Sequence, residues 1–172
     1  MTLPKLSIAA KLYAIFALMA TTTVALSVVA VSNARQHAAL TDEFETANAG
    51  TWNVERVNGL IYAVVMESRG VYMSSDMPTS KIYADGIRKF NKQIAKVVED
   101  WKKSVRSDDA ELFQRFSKRI ATFIQFRNEL ARLGTEVSPA AGREWGDNDA
   151  NRSVRKALNG DLDRLTGLYE NR

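Results

Sequence analysis

The chain has 172 residues with no cysteine, one histidine and three prolines, and its 24 Lys and Arg against 20 Asp and Glu leave a formal charge of +4. The lack of cysteine excludes a disulfide scaffold, thiolate metal sites and covalent c-type haem attachment. A small basic excess, spread out rather than interleaved with aromatics, gives no support to nucleic-acid binding, and apolar and charged fractions of 45% and 26% suit a folded domain better than a disordered tail.

Residues 12–34 carry no charge. The run is about as long as the roughly 20 residues an α-helix needs to cross a hydrocarbon core, so it is predicted to be a transmembrane helix. Lys5 and Lys11 precede it, and Arg35 is soon offset by Asp42, Glu43 and Glu45. The positive-inside rule then keeps residues 1–11 cytoplasmic and places the remainder outside. A cleaved signal peptide is the competing reading, because Ser32-Asn33-Ala34 resembles a small-residue cleavage site. The apolar run exceeds the roughly 7 to 15 residues of a signal core, and helix-forming sequence continues through that site. Either reading exports residues 35–172.

Beyond the span, Leu40, Phe44, Ala47, Val54, Ile61, Val65 and Tyr72 recur at helical spacing, so a first helix is predicted to continue outward from the membrane helix. Residues 74–80 break the period, and Pro78 is expected to keep Met77 out of helical geometry where the chain turns. A second stripe comprises Tyr83, Ile87, Phe90, Ile94, Val97, Trp101 and Val105. Asp108 and Glu111 form a candidate capping box for a third helix, whose stripe is Leu112, Phe113, Phe116, Ile120, Phe123, Leu130 and Leu133. Its phenylalanines and Trp101 are read as core. Gly134 is a stop signal, and Ser138 with Pro139 caps and opens a last helix running toward Arg172, with Leu158, Leu162, Leu165 and Tyr169 as its seam. The prediction is an all-α fold, an up-down-up-down antiparallel four-helix bundle over residues 35–172, its first helix continuous with the transmembrane helix.

Extending the last seam backward by heptads places Glu144, Asn148, Asn151 and Arg155 where leucines are expected, with Arg152 flanking them. Opposite them on the first helix lie Asn58, which interrupts the stripe, and Tyr62 and Arg69 on its edge. Unpartnered polar groups are costly to bury, so these residues meet each other, reach an interface or hold a ligand. The candidate ligand-binding set is Asn58, Tyr62, Arg69, Asn148, Asn151, Arg152 and Arg155. Forked guanidinium donors suit a small anion such as a carboxylate. The alternative is a device for helix register or dimer contacts, with Arg155 paired to Glu144 or Glu55.

Other motifs carry no chemistry. Asp147-Asn148-Asp149-Ala150-Asn151 imitates the opening of a calcium loop, but Arg152 stands where glycine is required and Leu158 where the bidentate glutamate belongs. Gly142 and Gly146 are surrounded by Arg143, Glu144 and Trp145, unlike a membrane dimer motif. His37 is the sole histidine and has no partner for a helix-borne metal pair. No nucleophile set or phosphate-cradling loop can be assembled, so no enzymatic activity, cofactor or metal is expected.

The order of parts, the opening Ala34-Arg35-Gln36, the segment from Val57 to Gly70 (VNGLIYAVVMESRG) and the segment from Trp145 to Arg152 (WGDNDANR) together resemble bacterial methyl-accepting chemotaxis proteins with four-helix-bundle sensor domains. The resemblance spans the chain. It implies a periplasmic sensor bundle anchored in the inner membrane, homodimeric, that recognises a small anion or a periplasmic solute-binding protein and shifts the helix entering the membrane. Arg69 is comparable by location to arginines that attractant-binding relatives place at the dimer interface; the other candidates do not align residue by residue. The family continues into a second membrane helix, a HAMP relay and a signalling coiled coil, so the chain reads as a fragment of a longer receptor or as a protein that signals differently. Sensor histidine kinases and cyclases carry similar input bundles, and a non-sensing anchored or secreted bundle is the alternative from another class.

Overall fold

A computed structural model describes residues 7–171; Lys5, one of the residues that set the expected orientation, and Arg172 lie outside them. The described chain is all-α: α1 (Ile8–Met73), α2 (Met77–Lys102), α3 (Ala110–Glu136), α4 (Pro139–Gly146) and α5 (Asp149–Glu170), with a 3₁₀ turn at Ser107–Asp109. Its contacts divide it into residues 1–44 and 45–172.

In the first unit, α1 is long and apolar enough to cross a membrane: a window of it reaches a mean hydropathy of 2.2 with none of its residues buried by protein. Leu12, Ile15, Phe16, Leu18, Leu26 and Val29 are all exposed. The hydroxyls within this stretch are internally satisfied. Thr21 donates to the Ala17 carbonyl at 2.8 Å, Thr23 to Met19 at 2.8 Å and Ser27 to Thr23 at 2.8 Å. Such back-bonding removes the cost of hydroxyls in a medium that offers no water. Leu40 and Phe44, which the sequence assigns to the core stripe, are exposed.

The second unit holds the core. From α1 it receives Val54, Val57, Ile61, Val64, Val65 and Val71, and from α5 Leu158, Leu162, Leu165 and Tyr169, the four residues expected there. On α3 the buried line runs Phe113, Phe116, Ile120, Phe123, Arg127, Leu130 and Gly134. The buried face of α2 is Ser80, Ala84, Ile87, Asn91, Ile94, Val98 and Trp101. That face is rotated from the predicted stripe, leaving Tyr83 exposed and Phe90 and Val97 partly buried. The rotation brings Asn91 inside, where its amide donates to Asn128 Oδ1 at 2.8 Å. Trp101 packs on Phe113, Phe116 and Tyr169 with ring centroids 5.1, 5.6 and 6.0 Å away.

Close helix approach is set by side chains that are missing. A Cβ on Gly70 would overlap the Tyr83 ring, one on Gly86 the Glu67 carboxylate, and one on Gly134 the Val71 side chain.

Helix boundaries depart from expectation in three places. Met77 is helical after all: Asp76 caps α2 by accepting from Thr79 N at 2.7 Å, and Pro78 falls in the first turn, where its missing N–H costs nothing. The Asp108–Glu111 box does not form, because the chain enters α3 through the 3₁₀ turn and Asp109 stands at the cap position in αR conformation. The last helix is two helices. Ser138 caps α4 as expected, accepting from Ala141 N at 3.1 Å with Pro139 first in the helix. At Asp147 the backbone then leaves helical geometry (φ −103°, ψ 62°), and Asn148 caps α5.

Candidate functional site

The break between α4 and α5 opens a cavity of about 180 Å³ against α1 and α3. It is lined from α1 by Val65, Ser68, Arg69 and Tyr72, from α3 by Arg127, and from the break and α5 by Gly146, Asp147, Asn151, Arg152 and Arg155. Of the seven candidates, Arg69, Asn151, Arg152 and Arg155 meet here. Asn58, Tyr62 and Asn148 do not line it. Tyr62 is exposed and stands beside the site, with the Arg155 guanidinium 5.5 Å over its ring. Asn148 serves the backbone: its Oδ1 accepts from Asn151 N at 2.9 Å and its amide donates to the Trp145 carbonyl at 2.8 Å. Glu144, placed on the seam by the heptad count, is exposed, because the helix break interrupts the register on which that count relied.

Arg127 is the residue the sequence reading missed. It is 4% exposed and takes a core position between Phe123 and Leu130. Nη1 donates to Ser68 Oγ and to Tyr72 Oη, both at 3.2 Å, while buried Nε has no acceptor in the protein. The guanidinium lies 5.2 Å from the Phe123 ring, and no carboxylate pairs with it among the described residues. Burial pushes its pKa down; the Tyr72 hydroxyl opposes this, and the nearby positive charge of Arg155 adds to it. Guanidinium does not deprotonate in proteins, so the penalty remains as an uncompensated buried charge.

The surrounding groups sharpen the polarity. Ser68 commits its proton to the Val64 carbonyl at 2.7 Å. Burial raises the Tyr72 pKa; Arg127 pulls it back and Asp147 adds to the rise, so at neutral pH the phenol keeps its proton. Asn151, 5% exposed, donates to the Gly146 carbonyl and fastens the break between α4 and α5. Arg152 is held at the rim by Asp147 and Asp149, each at 2.9 Å. Arg69 and Arg155 have no ion-pair partner among the described residues, so the proposed Glu144 and Glu55 pairings are not formed. The one carboxylate lining the cavity, Asp147, is engaged by Arg152.

Tight packing fixes the break. A Cβ on Gly146 would overlap Tyr72 Oη and Leu130 Cδ1. Gly146→Ala is therefore expected to destabilise the protein by about 1 to 2 kcal/mol through overpacking, and to displace Tyr72 from Arg127. Denaturant melts of the full chain check the first effect. An unchanged midpoint would show that the break yields freely.

A larger depression of about 670 Å³ beside the α2–α3 turn is lined by Lys102, Arg106, Glu111 and Lys118 among others. None of its lining residues has a buried polar atom without a partner, whereas the smaller cavity combines the unpartnered Arg127 Nε with three further arginines. No group of three or more acidic or histidine side chains arranged for a metal occurs among the described residues. No family model, curated protein or solved structure matches the chain, so the reading of this site rests on its own chemistry.

Proposed function

We propose that the chain is the membrane-anchored, extracytoplasmic sensor portion of a bacterial chemoreceptor, and that the α1–α3–α5 cavity receives a small anion. The observation that carries this reading is Arg127, a buried guanidinium with no carboxylate partner at the wall of a cavity rimmed by further arginines. A protein gains nothing in stability from such a charge, and an anionic guest offsets its cost.

An up-down-up-down bundle is supported by residue pairs that run in opposite directions: Arg88 with Thr135 and Asn91 with Asn128 between α2 and α3, and Gly50 with Tyr169 and Tyr62 with Arg155 between α1 and α5. In this arrangement α4 and α5 together form the fourth strut. The positive-inside pattern supports a cytoplasmic N-terminus and a periplasmic bundle. The exposed α1 residues Trp52, Tyr62, Met66 and Met73 support pairing with a second copy. Binding between α1 and α5 then acts on the helix that leads to the membrane. The signal is limited to the ligand's preference between two conformations, about 1.4 kcal/mol for each tenfold shift.

The expected result is an anion-dependent rise in melting temperature for the full chain in detergent, at constant ionic strength, across a panel of small carboxylates and oxyanions. If none stabilises the protein, direct anion sensing is lost, and recognition of a solute-binding protein becomes the surviving sensor reading.

A further inference from the structure

The arginines around the cavity are not equivalent. Arg152 has its charge offset by Asp147 and Asp149. Arg69, Arg127 and Arg155 have no such partner among the described residues, yet all three line one space of about 180 Å³. They are also graded in depth: Arg127 is buried, Arg155 half-buried and Arg69 exposed. A monoanion placed on Arg127 leaves the charges of Arg155 and Arg69 without an anionic partner. A guest with an anionic group at each end matches both the inner and the outer positions.

We infer that the cavity takes a short dicarboxylate lacking an ammonium group, with one carboxylate on Arg127 and Tyr72 and the other toward Arg155 and Arg69. This deepens the proposed anion sensing and rests on it. A free ammonium is disfavoured for a specific reason: four arginines line the cavity against a single carboxylate, Asp147, whose Oδ1 is already held by Arg152 at 2.9 Å, so an amino group would add a cation to an excess of positive charge. The small volume confines the two acidic groups to a short spacer.

The test is calorimetric titration of the full chain in detergent, at neutral pH and fixed ionic strength, with succinate, butyrate, aspartate and sulfate. Succinate is expected to bind about tenfold tighter than butyrate, the equivalent of one added charge contact, and tighter than aspartate. In Arg155→Gln and in Arg69→Gln, each made separately so that one misfolded variant does not end the test, the succinate-to-butyrate ratio should fall toward one. Equal affinity for succinate and butyrate in the unaltered protein would overturn the dicarboxylate assignment while leaving an anion site standing. Aspartate binding as tightly as succinate would overturn the exclusion of ammonium. Sulfate as the tightest ligand would replace the dicarboxylate with a compact oxyanion. Absence of binding by all four, together with no response in the wider anion panel, would remove the proposed site itself.

Discussion

Arg127→Leu should raise the melting temperature of the ligand-free protein and abolish its stabilisation by anions. The guanidinium is 4% exposed with no carboxylate partner, so leucine removes a desolvated charge from a line of residues that is otherwise apolar. Replacing buried ionic groups by apolar ones of similar volume is often stabilising by about 1 to 4 kcal/mol, and a lone charge belongs at the favourable end of such cases. Ser68 loses a donor but keeps its bond to the Val64 carbonyl. Stability and binding then move in opposite directions, a signature that simple core damage does not produce. Arg127→Ala is the contrasting variant, because it removes the charge and leaves a void. Calorimetric melts with and without succinate decide the matter. A leucine variant that melts lower and retains its anion response would show that Arg127 is a structural fastener.

The second large effect lies away from the cavity. Asp161 is 1% exposed on α5, and Arg119 Nη1 from α3 approaches its Oδ2 at 2.8 Å while Arg164 stands at 3.8 Å. Arg119 also donates to the Ala157 carbonyl at 3.0 Å, tying α3 to α5 twice. Removing one partner of a buried pair costs roughly 3 to 5 kcal/mol when the remaining charge is fully buried. Water reaches Arg119, whose side chain is 43% exposed, so the expected cost of Arg119→Met is lower, about 2 to 3 kcal/mol. Combining it with Asp161→Leu should recover most of that loss. Urea titration of the two single variants and the double variant measures the coupling. A single Arg119→Met variant with an unchanged midpoint would mean that Arg164 alone sustains the Asp161 charge.

Helical content, the turn near Pro78, the Ser138–Pro139 start and the leucine seam of α5 were legible because each arises from local backbone chemistry or from an uninterrupted apolar period. The arginine-lined site was legible in part for the same reason. Arg155 and Asn151 stand out against leucines at regular spacing. Arg127 stands at an equally regular position, four residues after Phe123 and three before Leu130, but a stripe counted through apolar residues passes over it. Testing every seam position for charge, rather than only the apolar ones, would have found it. The division of the last helix was hidden for a different reason. Neither Gly146 nor Asn148 forbids a continuous helix, and the break depends on Tyr72 and Leu130 pressing against Gly146, neighbours that are remote in sequence. The rotation of α2 likewise depends on Asn91 finding Asn128 on another helix. An amide counted as polar by sequence becomes an interior residue once its partner arrives.

The glycines that let helices approach α1 closely stand at both ends of its core stretch. Gly70 receives Tyr83, Gly86 receives Glu67 and Gly134 receives Val71, so α1 is gripped from α2 and α3 between residues 67 and 71, while Gly50 receives Tyr169 of α5. A rod held in this way resists sliding and rolling at either end. The cavity lies immediately beside the grip, at Val65, Ser68, Arg69 and Tyr72. Between the two grips Val54, Val57, Ile61 and Val64 are buried as well, so the stretch has no loose segment. Clamped at two places, this length of α1 has little slack, and a side chain that shifts at the cavity pushes on a stiff beam.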